Sequence, residues 1–324
     1  MSAAGRLYRS LTICLGCLFA AVAASAATFP DKPVQLVVGF AAGGGADRVA
    51  RLLAPVMTQK WGQQVIVVNK PAAGGVVATE YVANATPNGH TILLTGNAHT
   101  VTPHEIKVPY DPIRDFAPVT RLGEQPSILL TNLTLPAKTL KEFVALAKSK
   151  PGQLNYSSTG GGSPTNLQML LLMKNLELNL TNVTYRGGGD AILALIRGEV
   201  QATFFATTGS RGPLQAGSVR PLAITSDQRL PLFPDIPTIP EALGVSRYDG
   251  TNVWHGVVAP RGTPAAIVSV IREAVVEAAK SQDFQKVMAQ DGYVIIASTP
   301  KEFGDFLRAD FAKWGTVLKR TDTK

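Results

Sequence analysis

The sequence predicts an α/β protein built from two lobes, and three observations support this fold class. Short apolar strand patterns alternate with amphipathic helix patterns, and glycine-rich turns join several strands to the helices that follow. A length of 324 residues exceeds one small domain and suits two lobes of ordinary size. The composition, with 45% hydrophobic and 17% charged residues, is that of a folded chain and excludes a disordered one.

Residues 1–27 have the pattern of a cleaved signal peptide, so we expect an exported protein. Two arginines precede an apolar run over residues 11–24, and small residues place the cleavage site near Ala26 or Ala27. An uncleaved membrane anchor and a lipoprotein signal at Cys17 are the alternatives. Both cysteines of the chain lie in this segment, which excludes disulfides and thiol chemistry from the mature protein.

The charge pattern indicates the kind of partner. The chain carries 31 basic and 23 acidic residues, a formal charge of +8, and the excess is scattered along the sequence. This pattern favours small anionic partners and argues against nucleic acid, which requires a clustered basic surface. Beyond the N-terminal segment, no apolar run is long enough to cross a membrane.

The segment after the signal peptide alternates strands and helices. Because a helix follows each of the first two strands, we expect parallel strands with helices packed on both faces of the sheet. The predicted strands are residues 34–40, 65–68 and 91–95, and the predicted helices are residues 46–60 and a segment from Gly75 to about residue 85.

The rest of the chain repeats this alternation and then becomes helical. Two Thr-x-x-Glu capping boxes, at Thr139 and Thr299, indicate helix starts, and Thr263 followed by Pro264 indicates another. The remaining predicted strands are residues 127–131, 155–158, 183–185, 202–205 and 222–225, and the predicted helices are residues 140–149, 166–176, 191–197, 264–281 and a terminal helix from residue 300.

Three glycine-rich turns between a strand and a helix are the candidate binding elements. Glycine lets a ligand approach the backbone closely, and the unpaired amides at a helix N-terminus bind carboxylate or phosphate without a cationic side chain. A tight turn without a ligand is the alternative for each. The candidates are Phe40, Gly43, Gly44, Gly45, Ala46 and Asp47 in the first turn, Ser158, Thr159, Gly160, Gly161, Gly162, Ser163 and Thr165 in the second, and Tyr185 and Arg186 in the third.

The sequence lacks the motifs of several enzyme classes. No Walker A lysine follows a glycine run, no acidic residue follows the second strand as dinucleotide binding requires, and no Gly-x-Ser-x-Gly elbow is present. The four histidines lack zinc-ligand spacing. We therefore expect no enzymatic activity, cofactor or metal. His99 and His104 are predicted on a loop, with His99 a candidate cleft residue, and a Ser158–His99 pair is the remaining catalytic alternative.

Seven motifs occur in order along almost the whole mature chain. They cover residues 29–33, 38–48, 69–75, 109–112, 154–163, 233–238 and 259–264. In these motifs the chain resembles the Bug family, the extracytoplasmic solute receptors of tripartite tricarboxylate-type transporters. The resemblance implies a type II periplasmic-binding-protein fold with mixed sheets, helices on both faces and a cleft between two lobes. One lobe would comprise residues 28–124 plus 251–324, and the other residues 125–250.

The resemblance also implies a function. Members of the family bind small carboxylates, typically through backbone amides of the first glycine turn and of the turn that matches residues 159–163, and they deliver the ligand to membrane permease subunits. We therefore expect a periplasmic, monomeric receptor for a small carboxylate. A sensor subunit for a membrane kinase and an exported hydrolase are the alternative functions.

The sequence departs from the family pattern at positions that bear on the ligand. Ala41 and Ala42 stand where prolines are common, and Ala46 stands where a hydroxyl residue is common. Phe205 stands where an aspartate is frequent, which removes a polar group and adds a ring. We therefore hypothesise a ligand with an apolar or aromatic body; simple packing of Phe205 is the alternative.

Overall fold

The computed structural model describes residues 29–160, 162–185, 187–290 and 292–318, and the predicted signal peptide lies outside them. Eleven strands form two mixed sheets in this part of the chain. The strands are β1 (Val34–Val38), β2 (Val65–Asn69), β3 (Thr91–Gly96), β4 (Phe116–Gln125), β5 (Ser127–Thr131), β6 (Asn155–Ser158), β7 (Thr181–Thr184), β8 (Ala202–Ala206), β9 (Arg220–Ile224), β10 (Val253–Pro260) and β11 (Val294–Ile295).

Helices cover both faces of these sheets, as predicted. Among the described residues, none of them combines the length and the apolar character that a membrane-spanning helix requires. The helices are α1 (Gly45–Trp61), α2 (Val76–Ala83), α3 (Ala98–Glu105), α4 (Leu140–Ser149), α5 (Pro164–Leu176), α6 (Gly188–Arg197), α7 (Thr207–Gln215), α8 (Ile239–Leu243), α9 (Ala265–Lys280), α10 (Gln282–Ala289) and α11 (Pro300–Leu318).

The first sheet has the strand order β11-β4-β10-β3-β1-β2. Strands β2 and β3 pair parallel with β1, which confirms the prediction from the strand–helix alternation, whereas β10 runs antiparallel between β3 and β4. Alternate residues of β1 enter different cores, because successive side chains of a strand point to opposite faces. Leu36 packs against the side covered by α1 and α9, and Val37 against the side covered by α2 and α11.

The second sheet has the order β7-β6-β8-β5-β9. Strand β5 is antiparallel to β8 and β9, and β6 is parallel to β7 and β8. The same alternation places Leu129 in the core that includes residues of α4 and α5, and Ile128 in the core that includes residues of α6. Both sheets are therefore covered on two faces, as the alternation of strands and helices predicted.

The chain passes between the two sheets at two places. Strand β4 of the first sheet leads through Pro126 into β5 of the second, and the chain returns between β9 and β10. The predicted lobe boundaries, near residues 125 and 251, lie at these two crossings and stay a prediction. A separate apolar cluster joins helices α3 and α11 to α5, with Trp314, Val101 and Leu171 at its centre.

Several local predictions were wrong or incomplete. His99 and His104 lie in helix α3 and not on a loop; Pro103 inside this helix obscured its pattern. Thr263 does not cap helix α9, because its hydroxyl donates to Pro260 O at 2.8 Å instead. Strand β10, helix α7 and helix α10 were not anticipated. The capping box at Thr299 is confirmed by both of its hydrogen bonds, which join Thr299 and Glu302.

Candidate ligand-binding cleft

A cavity of about 560 Å³ lies where the two sheets face each other. Its walls come from the carboxyl ends of β1, β3 and β6 and from the starts of the helices that follow them, the position where α/β sheets bind ligands. The strands that connect the sheets provide its floor. Of the predicted site residues, those that line the cavity are Phe40, Gly44, Gly45, Ala46, Thr159, Gly160, Gly162 and Ser163.

The first glycine turn is held in shape by a buried carboxylate. Asp47 is 2% exposed, and its Oδ2 accepts hydrogen bonds from Gly43 N at 2.8 Å and from Arg51 Nε at 2.9 Å. Asn69 Nδ2 donates to Asp47 Oδ1 at 2.9 Å and to Phe40 O at 3.0 Å, so it ties both ends of the turn together. Asp47 and Gly43 therefore position the turn and do not line the cavity.

These hydrogen bonds favour the ionised form of Asp47. The hydrogen bond from Arg51 contributes most, and together with those from Gly43 and Asn69 it lowers the pKa of Asp47 from 3.8 to about 2, although burial opposes this shift. Asp47 is thus a carboxylate at neutral pH, partnered by Gly43 of the turn and by Arg51 and Asn69 beside it. Its negative charge stabilises the positive N-terminus of α1.

Two amides of this turn are left for a ligand. The amide of Gly44 bonds to Ala41 O at 3.3 Å, and the first intrahelical bond of α1 begins only at Arg48 N. The amides of Gly45, Ala46 and Asp47 consequently have no acceptor among the described residues, as expected for the first turn of a helix. Of these three residues, Gly45 and Ala46 line the cavity.

The second glycine turn is held by hydroxyl groups. Ser163 Oγ donates to Gly160 O at 2.6 Å, Gly160 N donates to Ser158 Oγ at 3.3 Å, and Thr159 N donates to Thr165 Oγ1 at 3.3 Å. Ser158 and Thr165 do not line the cavity and so support the turn from behind. The amide of Gly162 has no acceptor among the described residues and lies at the cavity wall.

A third helix start, at the β3–α3 junction, also faces the cavity. Thr95, Gly96, Asn97 and Ala98 line it, and Asn97 is fixed because its Nδ2 donates to Asn252 O at 3.0 Å. The sequence reading missed this segment. The sequence nevertheless contained a signal for this part of the site, because the segment directly follows a predicted strand, as the two glycine turns do.

The floor of the cavity is formed where the connecting strands pair with β3. Gln125, Trp254 and His255 lie there. Gly96 is required at this point, because a Cβ on it would lie 2.7 Å from Trp254 O. Burial lowers the pKa of His255 from 6.5 to about 4, so its ring is neutral at neutral pH, and its Nδ1 has no partner among the described residues.

His99 does not reach the cleft. Its side chain is 2% exposed, its Nε2 lies 2.8 Å from Pro112 O, and its ring meets Phe116 edge to face at 4.9 Å. Burial lowers its pKa from 6.5 to about 4. The catalytic alternative gains no support from the geometry, because the hydroxyl of Ser158 accepts from Gly160 N and no described hydrogen bond joins it to His99.

The third glycine turn and Phe205 form a packing unit apart from the cavity. Neither Tyr185 nor Phe205 lines it, and both pack against the second-sheet core on the side of α6. The Phe205 ring lies so close to Gly188 and Gly209 that a Cβ would come within 3.3 Å and 2.2 Å of it. The glycines therefore make room for the ring. Gly161 and Arg186 lie outside the described residues.

Comparison with known proteins identifies the family. Residues 49–322 match the tripartite tricarboxylate transporter family receptor. The chain belongs to this family. A UPF0065 protein of Bordetella pertussis is 38% identical over 315 residues, which cover 97% of this chain and 96% of that protein. The resemblance stated from the sequence motifs is thereby confirmed, and the family is one of solute receptors.

Solved structures confirm the two-lobed fold class. MatC from Rhodopseudomonas palustris, with bound malate, is 33% identical and has a TM-score of 0.75, with 90% of this chain and 100% of that chain covered. An R. palustris protein with adipate is 31% identical and has a TM-score of 0.76, with coverage of 90% and 97%. The structure of the periplasmic binding protein BugD is also similar, with 30% identity, a TM-score of 0.75 and coverage of 91% of this chain and 99% of that chain.

Proposed function

We propose that this protein is a periplasmic receptor that binds a small carboxylate with an apolar body and delivers it to the membrane permease subunits of a tripartite transporter. The observation that supports it most directly is the pair of glycine turns on opposite walls of one cavity, where the amides of Gly45, Ala46 and Gly162 have no acceptor in the part of the chain that the structure describes. Receptors with bound malate and adipate share this fold.

The anion would be held by backbone amides and helix dipoles, because no arginine or lysine lines the cavity among the described residues. Each hydrogen bond to a carboxylate contributes about 1.5–3 kcal/mol before desolvation is subtracted. Three such bonds, with additional burial of an apolar body, are sufficient for binding in the micromolar range.

The walls of the cavity support a ligand with an apolar body. Phe205, on which the sequence-based hypothesis rested, does not support it. Phe205 lies elsewhere, whereas Phe40, Ile106 and Trp254 line the cavity. Phe40 is 43% exposed, so its ring is available to cover a ligand. Burial of such surface yields about 25 cal/mol per Å².

A cleft between two lobes would allow the protein to close around the ligand and then deliver it to the permease. A kinase-linked sensor would use the same closure, and no observation favours it here. Export through cleavage near Ala26 or Ala27 and a monomeric state are parts of the proposal, and the family's periplasmic members support the first of them.

The test is a thermal-shift screen, followed by calorimetry, of mono-, di- and aromatic carboxylic acids. We expect acids with apolar bodies to raise the unfolding temperature most. Phe40→Ala should weaken their binding about tenfold, whereas the matched Phe205→Ala should leave it unchanged. A preference for citrate alone would contradict the apolar body, and no stabilisation by any acid would contradict the receptor function.

A further inference from the structure

One side chain in the cleft does not suit a simple anion site. Glu105 is the only formally charged residue that lines the cavity within the described part of the chain. It is the last residue of α3, on the wall formed by the first-sheet region, and it faces the second glycine turn. A Cβ on Gly162 would lie 2.8 Å from Glu105 Oε2, so the carboxylate lies close to this turn across the cleft.

The charge of Glu105 is not compensated within the described protein. Among the described residues, none forms an ion pair or a hydrogen bond with its carboxylate. A carboxylate at the C-terminal end of a helix also opposes the helix dipole. Although the residue is exposed as a whole, desolvation by the surrounding walls raises the pKa of its carboxyl group.

Other acids in this region differ from Glu105 because each has a partner. Asp47 accepts three hydrogen bonds, Asp310 accepts one from Thr100 Oγ1 at 2.6 Å, and Glu124 accepts one from Asn252 Nδ2 at 2.8 Å. These carboxylates are explained by the structure that they hold together. An uncompensated acid at a binding cavity is instead a candidate for recognition of the ligand.

We propose that Glu105 selects ligands that present a hydrogen-bond donor, an ammonium or a hydroxyl group, at its wall of the cleft. This inference rests on the proposed function. The ligand carboxylate would bind the amides of Gly45 and Ala46 in the first glycine turn, and its donor would bind Glu105 beside the second turn. A ligand with a second carboxylate at this wall would be rejected, because two like charges in a partly desolvated site repel each other.

The experiment compares acids that differ only in the donor. Calorimetry would measure 3-phenylpropanoate against phenylalanine, hexanoate against 2-aminohexanoate and adipate against 2-aminoadipate, with the 2-hydroxy analogues separating hydroxyl from ammonium. The proteins are the wild type, Glu105→Gln and the control Glu273→Gln, an exposed glutamate on helix α9.

We expect the wild type to bind the amino or the hydroxy member of at least one pair about tenfold or more tightly than its donor-free partner. Glu105→Gln should remove most of a preference for an ammonium group and about half of the binding energy behind a preference for a hydroxyl, because the amide oxygen still accepts a weaker bond; Glu273→Gln should retain either preference. Donor-free acids that bind as tightly as their partners, or a preference that Glu105→Gln leaves unchanged, would overturn this inference alone.

Two further outcomes keep the result interpretable. If none of the acids binds the wild type, both the proposed function and this inference are overturned. The unfolding temperature of Glu105→Gln should equal or exceed that of the wild type, since the carboxylate has no partner to lose. A clear fall in that temperature would reveal a structural role and overturn the inference.

Discussion

The two glycine turns of the cleft have the same position in their sheets but are stabilised by different chemistry. The first turn surrounds the ionised carboxylate of Asp47, which accepts from Gly43, Arg51 and Asn69. The second turn is closed by neutral hydroxyls, of which Ser163 makes the shortest bond, 2.6 Å to Gly160 O. Both leave backbone amides at the cavity wall, so different sequences produce the same kind of anion-binding surface.

This difference has a physical consequence. A turn organised by a charge depends on the protonation of that charge, whereas a turn organised by hydroxyls does not. The hydroxyl turn gains less from each bond, because a hydrogen bond to a neutral group contributes about half as much as one to a charged group. The first turn should therefore be the stiffer of the two at neutral pH and the more sensitive to acid.

The largest expected effect comes from filling the space in front of either set of amides. Gly45→Val adds a side chain where nothing lies within 4 Å, and Gly162→Val adds one that meets only the flexible end of Glu105 closely. Each should weaken carboxylate binding by about 100-fold, equal to about 2.7 kcal/mol, while the unfolding temperature changes little.

Calorimetry of both variants checks this prediction, with Gly212→Ala as a control in helix α7, remote from the cavity. Loss of binding in only one variant would show that the ligand uses one turn and would break the equivalence between the two. Unchanged affinity in both would remove the turns from the binding site.

A smaller effect is expected from Asp47→Asn, which should destabilise the protein by about 2 kcal/mol at neutral pH because it removes charge-assisted hydrogen bonds. Folding lowers the pKa of Asp47 from 3.8 to about 2, so its contribution is present above pH 3.8 and is lost as the pH falls towards 2. Denaturant unfolding of both proteins across this range should show the difference in stability shrinking with acid.

A constant difference between wild type and Asp47→Asn over that range would contradict the assigned role of the charge. The variant should also bind the ligand less tightly, since the first turn loses its anchor. The second turn provides the comparison, because none of its stabilising side chains titrates in this range.

The smallest expected effect comes from Ser163→Ala in the second turn. This change removes the bond to Gly160 O and the N-cap of α5, which accepts from Asn166 N at 3.4 Å. We expect a loss of about 1 kcal/mol, the usual cost of removing such a cap. The loss should be the same at pH 7 and at pH 3, and urea titrations at both values would measure it. A loss of stability that varies with pH would contradict the proposed difference between this turn and the turn that Asp47 holds.

Local pattern was sufficient for much of the fold. The buried strands β1, β2 and β3 were predicted because short β-branched runs between turn residues are recognisable within a window of a few residues. Helix α3 was missed because Pro103 and several threonines obscure its pattern, and β10 was missed because its character depends on pairing with β3 and β4. Pairing with strands distant in sequence leaves no local signal.

The sequence by itself determined where the glycine turns lie and that helix N-termini follow them, because strand exit, glycine and helix start are encoded by adjacent residues. Only the tertiary structure decided which of them share a cavity. It brings residues 44–46 to one cleft with Thr159, Gly160, Gly162 and Ser163. It also makes Asp47 and His99 buried groups and packs Phe205 against Gly188. It also places Glu105 against Gly162. These outcomes depend on how the chain passes between the two sheets, a long-range arrangement that no short segment specifies.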